Sequence, residues 1–132
     1  MMASYLVDTH VLIWWFLGSS RLNDSARGIL DDESSILRIS SASLHEFAIK
    51  QAKTAMPISG SDLAEGCKVS GIDVLAFDTT ALKYYDSVTM SHKDPFDRAL
   101  IAQAISRKLP LITADKALLK LKLPGLRLIK AD

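Results

Sequence analysis

The chain has 132 residues, of which 48% are hydrophobic and 23% are charged, and this combination is typical of one folded domain, spanning residues 1–132, rather than a disordered segment. The formal net charge of +1 excludes a strongly basic surface, so any contact with nucleic acid must be local. The single cysteine, Cys67, excludes an internal disulfide and suits a reducing, cytoplasmic location.

The first predicted strand is cut short by an acid. Tyr5–Val7 is rich in β-forming residues, and Asp8 then places a carboxylate where the apolar run would continue. Val11–Leu17 follows as a predicted helix, which Gly18 closes as a C-terminal cap. That run is far shorter than the roughly 20 residues that cross a bilayer, so we expect no membrane association. Asp8 therefore lies where a strand passes into a helix.

Strands and helices alternate along the rest of the chain. The remaining predicted strands are Ile36–Ile39, Ile72–Phe77, Leu111–Thr113 and Leu126–Ile129. The remaining predicted helices begin near Asn23, Leu44, Ser61, Asp78, Phe96 and Asp115. This alternation is typical of an α/β fold with a mostly parallel sheet that helices cover on both faces.

Acidic residues recur at the corners where predicted strands pass into helices. Asp8 and Asp115 follow the first and fourth strands, and Glu46 lies in the first turn after the second strand. Because the carboxyl ends of parallel strands meet at one edge of a sheet, we expect these three side chains to converge. Asp97, in the first turn of the helix before the fourth strand, joins them if the loop 89–93 brings that helix to the same edge.

Most of these acids also have a purely structural explanation. The segment Ser43–Glu46 matches the S-x-x-E capping box. Asp94 is a favoured N-cap residue, with Pro95 at the first helical position, and Asp115 would cap its own helix in the same way. Asp8 is harder to explain by structure alone, because a carboxylate at the end of a buried strand costs desolvation free energy unless something pairs with it.

A divalent cation would relieve the repulsion between acids gathered at one edge. Carboxylates that lie close together raise each other's pKa unless a cation joins them, and no lysine or arginine occupies an equivalent corner of this sequence. Ligands that are all oxygens, with no cysteine or histidine set, favour Mg²⁺ or Mn²⁺. Such an ion can activate water and stabilise charge on a phosphoryl oxygen.

Four blocks of sequence stand in a characteristic order, and they are Leu6–Trp14, the helix of Glu46, His92–Ala104 and Leu111–Asp115. Together they resemble the successive motifs of PIN-domain ribonucleases. Their residues are most similar to those of VapC-type toxins of bacterial toxin–antitoxin pairs. The most specific block is Asp94–Arg98, which reads Asp-Pro-Phe-Asp-Arg. The resemblance extends from near residue 5 to near residue 129.

The resemblance implies a three-layer α/β/α fold and cleavage of RNA phosphodiesters with Mg²⁺ (or Mn²⁺) as the cofactor. It implies a catalytic set that consists of Asp8, Glu46, Asp97 and Asp115. Asp8 and Asp97 would be the principal metal ligands. It also implies two protein partners besides the RNA substrate, namely a cognate antitoxin and a second copy of this chain in a homodimer.

Other residues near these acids have supporting roles in this interpretation. Asp94 would be a helper or a cap, and Thr9 and Thr113 would hydrogen-bond the ligating carboxylates. Arg98 would contact a phosphate or pair with a neighbouring acid. His10 either packs beside the pocket or binds the ion. Lysines near the same corners are candidates for contact with an RNA backbone, and they are Lys50, Lys53, Lys93 and Lys116.

Three consecutive aromatic residues in the first helix indicate a contact surface. Trp14, Trp15 and Phe16 cannot all face the core from one helix, because successive helical positions point in different directions. At least one of them should be exposed or covered by another chain. The candidates for that chain are a second copy of this protein and the antitoxin.

Two other interpretations compete with the nuclease. A signalling receiver domain needs an acidic pair at the first strand and a lysine at the last, whereas this sequence has one acid at the first strand and no lysine at the end of the fourth. A non-catalytic PIN-like module that binds RNA or a protein partner would have lost one or more acids, and all four are present.

Overall fold

The computed structural model describes residues 2–54, 58–88 and 94–132. Its strands are β1 (Ser4–Val7), β2 (Ile36–Ser40), β3 (Asp73–Leu75), β4 (Leu111–Thr113) and β5 (Leu128–Lys130). Its helices are α1 (Thr9–Phe16), α2 (Asp24–Asp31), α3 (Ser41–Gln51), α4 (Gly60–Val69), α5 (Thr79–Ser87), α6 (Pro95–Ser106) and α7 (Lys116–Leu119). Among the helices of these ranges, none combines the length and the apolar surface that a membrane span requires.

The strands form one parallel sheet in the order β3-β2-β1-β4-β5. In the centre, Leu6 of β1 is level with Arg38 of β2 on one side and with Leu111 of β4 on the other. The chain moves outward from β1 to β3 and then returns to the opposite side of β1 to form β4. The strand order therefore reverses between β1 and β4, and open α/β sheets bind ligands in the crevice at the carboxyl ends of strands that flank such a switch point.

Helices cover both faces of this sheet, which confirms the α/β prediction and its three layers. Because side chains alternate along a strand, Leu6 and Val7 of β1 enter two different cores. The core around Val7 packs β1 and β2 against α1, α2, α3 and α4. The core around Leu6 packs β1 and β4 against α6 and α7. The central strands are thus apolar on both faces, as buried parallel strands usually are.

The first helix ends where the sequence predicts. Gly18 has a φ of +64°, a conformation that glycine enters at little cost. Its N–H donates to the carbonyl of Trp15 at 3.1 Å, and the N–H of Ser19 donates to the carbonyl of Trp14 at 2.8 Å. These two bonds form a Schellman motif, which satisfies carbonyls at the end of the helix.

Helix α3 begins three residues before the predicted start at Leu44. Its N-cap is Ser40, the last residue of β2, whose Oγ accepts the N–H of Ala42 at 3.0 Å. The chain therefore passes from β2 into α3 without a connecting loop. Ser43, the predicted cap, is a buried residue inside the helix. The capping box of Ser43 with Glu46 is wrong, and Glu46 lies in the second turn of α3 rather than the first.

The two edge strands are shorter than predicted. The segment Ile72–Phe77 pairs only over Asp73–Leu75, and pairing at the last strand is shifted from Leu126–Ile129 to Leu128–Lys130. Each of these strands has a neighbour on one side only. Pairing therefore stops where that single neighbour stops, and the apolar pattern of the sequence does not mark this point.

Candidate active site

Asp8 lies at the carboxyl end of β1, beside the switch point. Its backbone N–H donates to the carbonyl of Ile112 on β4 at 3.0 Å. Its Oδ1 accepts the N–H of Thr9 at 2.9 Å, and its Oδ2 accepts the hydroxyl of Thr113 at 2.7 Å. Asp8 is therefore the N-cap of α1, a structural role that the sequence did not indicate, and its role as a metal ligand stays a prediction. A carboxylate oxygen can accept more than one hydrogen bond, so these contacts leave lone pairs for a further partner.

Thr113 connects Asp8 to the next acid along the sheet edge. Its buried hydroxyl donates to Asp8 and accepts the N–H of Asp115 at 3.1 Å. Asp115 caps α7, because its Oδ1 accepts the N–H of Ala117 at 2.8 Å and that of Leu118 at 3.4 Å. The structural explanation of Asp115 is thus confirmed, whereas its catalytic role stays a prediction.

The ring of His10 packs beside Asp8. Its Nε2 accepts the N–H of Ala114 at 3.1 Å, and a nitrogen that accepts an N–H carries no proton, so the ring proton is on Nδ1. Nδ1 lies 3.6 Å from Oδ2 of Asp8, which is longer than a hydrogen bond. The ring also meets Trp14 edge to face, with 5.2 Å between centroids. Because its Nε2 is occupied, packing beside the pocket is the role of His10 that the structure favours.

Glu46 and Asp8 line the same cavity. The cavity has a volume of about 240 Å³ and lies between the start of α1 and one face of α3. The side chain of Glu46 is 22% exposed, and that of Asp8 is 15% exposed. The hydroxyl of Thr9, another lining residue, is buried and has no hydrogen-bond partner in the part of the chain that the structure describes. The carboxylates of Asp8 and Glu46 are the acidic groups that line this cavity.

Acids and a lysine set the charge balance of this cavity. Burial has the largest effect on the pKa of Glu46 and raises it, and the negative charges of Asp94 and Asp8 raise it further. Lys50 opposes them, since its Nζ lies 3.3 Å from Oε2 of Glu46. Lys50 offsets only part of the effect, because the pKa of Glu46 remains above its ordinary value.

The start of α6 lies against α3 and brings further acids to this edge. The rings of Phe96 and His45 meet edge to face with 5.8 Å between centroids. Asp94 is the N-cap of α6 as predicted, with Pro95 at the first helical position, and its Oδ1 accepts the N–H of Phe96 at 2.9 Å and that of Asp97 at 3.2 Å. Asp97 lies in the first turn of α6. Its role as a principal metal ligand stays a prediction.

Arg98 contacts α5. Its Nε donates to the carbonyl of Tyr85 at 2.9 Å, and its guanidinium lies over the ring of the same tyrosine, 4.6 Å from the centroid. These contacts join α6 to α5, and they leave the predicted contact with a phosphate untested. His92 and Lys93, which belong to the same sequence motif, lie outside the described residues.

Sequence analysis missed one residue and one ion pair at this edge. Gln103 of α6 is buried, and its Nε2 donates to the carbonyl of Leu75 at 3.1 Å while its Oε1 accepts the hydroxyl of Ser40. It thereby ties α6 to the ends of β2 and β3, and partners so distant in sequence leave no local signal. The ion pair of Lys50 with Glu46 did leave a signal, because Lys50 stands four positions after Glu46, the spacing of a helical ion pair.

The donors in the cavity fit a hard divalent cation. Asp8 and Glu46 supply carboxylate oxygens. Within the described ranges, no three His, Cys, Asp or Glu side chains form a ready-made cage for a metal ion. Mg²⁺ does not require such a cage, because it keeps several waters and is usually bound through one or two carboxylates plus substrate phosphates. Zn²⁺, which usually takes three or four histidine or cysteine ligands, does not fit.

Comparisons with known proteins agree with this fold. The family model of the PIN domain matches residues 5–123. The fold is similar to that of a DNA-bound VapBC from Salmonella typhimurium, with a TM-score of 0.71 and 21% identity over 98% of each chain. It is also similar to VapBC2 from Rickettsia felis bound to a promoter DNA fragment and to VapBC-5, a toxin–antitoxin system of Mycobacterium tuberculosis. Each of these two has a TM-score of 0.69 and 18% identity over 98% of this chain and 99% of the other. Comparison with curated proteins found no match.

Proposed function

The chain belongs to the PIN-domain family, and from this premise we propose that it is an endoribonuclease that uses Mg²⁺ or Mn²⁺ to cleave RNA phosphodiesters. The observation that carries the proposal is the acidic cavity that Asp8 and Glu46 share beside the switch point of the sheet. The acids that the motifs require, Asp8, Glu46, Asp97 and Asp115, are all present in the sequence. The alternative is a PIN-like module that binds RNA without cutting it, and such a module has no use for a cation in this cavity.

The residues around the cavity have distinct roles in this proposal. Asp8 and Glu46 would hold the cation, and Asp97 would join them from α6. When bound, the cation supplies an activated water and stabilises charge on a phosphoryl oxygen. The hydroxyl of Thr113 and the N–H of Thr9 fix the carboxylate of Asp8 from both sides. Hydrogen bonds of this kind orient a ligating carboxylate before the ion arrives.

We expect the purified protein to cleave RNA in Mg²⁺ or Mn²⁺, and we expect cleavage to stop in excess chelator. Since water is the nucleophile, the products should carry a 5′-phosphate and a 3′-hydroxyl. A substrate with a 2′-deoxy sugar at the cleavage site should still be cut, because the 2′-hydroxyl takes no part. Total RNA is incubated with each metal and with chelator, and the ends are mapped by sequencing.

The Asp8→Asn variant, purified in parallel, controls for contaminating ribonucleases in this experiment. Products that end in 2′,3′-cyclic phosphate, or full activity in chelator, would rule out the proposed chemistry. RNA that is bound but never cut would support the binding module instead.

We also propose that the protein is the toxin of a toxin–antitoxin pair, with an antitoxin and a second copy of itself as partners. A cytoplasmic location accords with this role. The surface of α1 supports a protein contact, because Phe16 and Leu17 are 42% and 76% exposed. Trp15 is partly buried, and its Nε1 donates to Asp31 at 2.8 Å. The expectation that at least one of the consecutive aromatics is exposed is confirmed by Phe16.

Replacing Phe16 by serine should weaken association with a partner by about tenfold, because a buried aromatic side chain at an interface commonly contributes that much. Sedimentation velocity measures self-association, and co-purification with the antitoxin measures the other contact. Val69→Ser is the matched control, since Val69 is 79% exposed on α4. If Phe16→Ser and Val69→Ser behave alike in both assays, the α1 surface is not an interface.

A further inference from the structure

Lys50 lies on the face of α3 that borders the cavity. Ser43, Glu46, Phe47 and Lys50 recur at the spacing of one helical face, and all four line the cavity. The side chain of Glu46 is 22% exposed, whereas that of Lys50 is 71% exposed. The carboxylate therefore lies inside the cavity, and the ammonium lies at its mouth.

The pair differs from an ordinary surface ion pair between helical neighbours. A Glu–Lys pair four residues apart often does no more than stabilise the helix. Here, however, Glu46 shares its cavity with Asp8, and the charges of Asp8 and Asp94 both act on it. Of the described residues that line the cavity, Lys50 alone carries a formal positive charge, since Nε2 of His10 accepts a hydrogen bond. Lys50 thus places a positive charge at the mouth of a cavity that is lined by acids.

A divalent ion on Glu46 would compete with this ammonium. Two cations next to the same carboxylate oxygen repel each other strongly at short distance. The stem of Lys50 is flexible and exposed, so the ammonium can turn outward without disturbing α3. An RNA strand that enters the cavity brings new negative charge to the same mouth, and lysine is a common ligand of phosphate.

We propose that Lys50 is a substrate-binding residue whose ammonium pairs with Glu46 in the ion-free protein and passes to an RNA phosphate once a divalent cation occupies Glu46. This inference rests on the proposed ribonuclease function. It assigns Lys50 two successive anionic partners, a carboxylate and then a phosphate. It also makes Lys50 a competitor of the cation that the protein requires.

The test compares Lys50→Met, which keeps the stem and removes the charge, with Lys83→Met on the exposed face of α5. Titration calorimetry with Mn²⁺ alone measures ion affinity. Lys50→Met should bind Mn²⁺ roughly threefold more tightly than the parent, the size expected of a partly exposed charge pair. Its KM for a long single-stranded RNA should rise severalfold. The slope of log KM against log salt should fall by about 0.7, the value for one phosphate contact on a single strand. Lys50→Arg should restore the slope.

The outcomes separate this inference from the function on which it rests. Tighter Mn²⁺ binding together with a reduced salt slope in Lys50→Met alone supports it. Unchanged or weaker Mn²⁺ affinity, or a salt slope equal to that of Lys83→Met, overturns it while leaving the ribonuclease proposal intact. If the parent protein neither binds Mn²⁺ nor cleaves RNA, the proposed function itself fails, and the inference fails with it.

Discussion

Asp8→Asn is expected to lower RNA cleavage by roughly 10²- to 10³-fold, the usual loss when one preorganised electrostatic group is removed from an active site. The substitution keeps the shape of the side chain and removes the charge that would hold the cation. Its amide oxygen can still accept the N–H of Thr9 and so preserve the cap of α1. Single-turnover cleavage of RNA in saturating Mg²⁺ measures the loss.

The effect of Asp8→Asn on the stability of the ion-free protein combines two opposite contributions. Relief of repulsion favours the variant, but the hydroxyl of Thr113 loses the carboxylate oxygen that accepts its proton, which costs about 1 kcal/mol. Thr113→Val is the matched control, because it removes the same hydrogen bond and keeps the charge of Asp8. It should retain most of the stabilisation by Mg²⁺ that Asp8→Asn loses. Equal responses of the two variants to Mg²⁺ would contradict a cation-binding role for Asp8.

Glu46→Gln should also lose roughly 10²-fold or more in cleavage, and it should not destabilise the ion-free protein. Glu46 caps no helix, and its ion-pair partner is the exposed ammonium of Lys50, a pair of small net value. We therefore expect the variant to be as stable as the parent or more so, by up to about 1 kcal/mol. A clear loss of stability in ion-free buffer would show that Glu46 has a structural role besides binding the cation.

The dependence of this effect on pH follows from the raised pKa of Glu46. In the folded protein burial raises the pKa above its ordinary value of 4.5, so the folded state binds the proton more tightly than the unfolded state. The contribution of Glu46 to stability therefore falls as the pH rises from that ordinary value through the raised one. Glu46→Gln removes this fall. Denaturant unfolding at a series of pH values should show the advantage of the variant growing across that window.

The order of the strands and helices could be predicted from the sequence because it depends on local signals. Gly18 ends α1, Asp94 and Pro95 start α6, and Asp115 starts α7 as predicted. The start of α3 could not be predicted in the same way. Several serines at the end of β2 can each act as a cap, and only the pairing of Ser40 with the sheet decides that the strand passes directly into the helix.

The candidate site could be predicted only in part, because its key contacts join residues that are distant in sequence. That Asp8 lies where a strand passes into a helix follows from the pattern of the sequence. Its contact with Thr113 depends on β4 lying beside β1, which no local pattern announces. The cavity of Asp8 and Glu46 likewise depends on how α1 packs against α3. Lys50 was considered only for contact with RNA, although its spacing from Glu46 also permits the ion pair that the structure contains.

We propose that the cavity shared by Asp8 and Glu46 holds the divalent cation. Thermal unfolding at increasing Mn²⁺ concentration, without RNA, tests it most directly for the parent, Asp8→Asn and Glu46→Gln. A ligand of the folded state at about 100 times its Kd stabilises by roughly 2.7 kcal/mol, so the Tm of the parent should rise steadily. The Tm of both variants should rise much less at the same Mn²⁺ concentrations. A parent Tm that Mn²⁺ does not raise, or an equal rise in all three proteins, would contradict the claim.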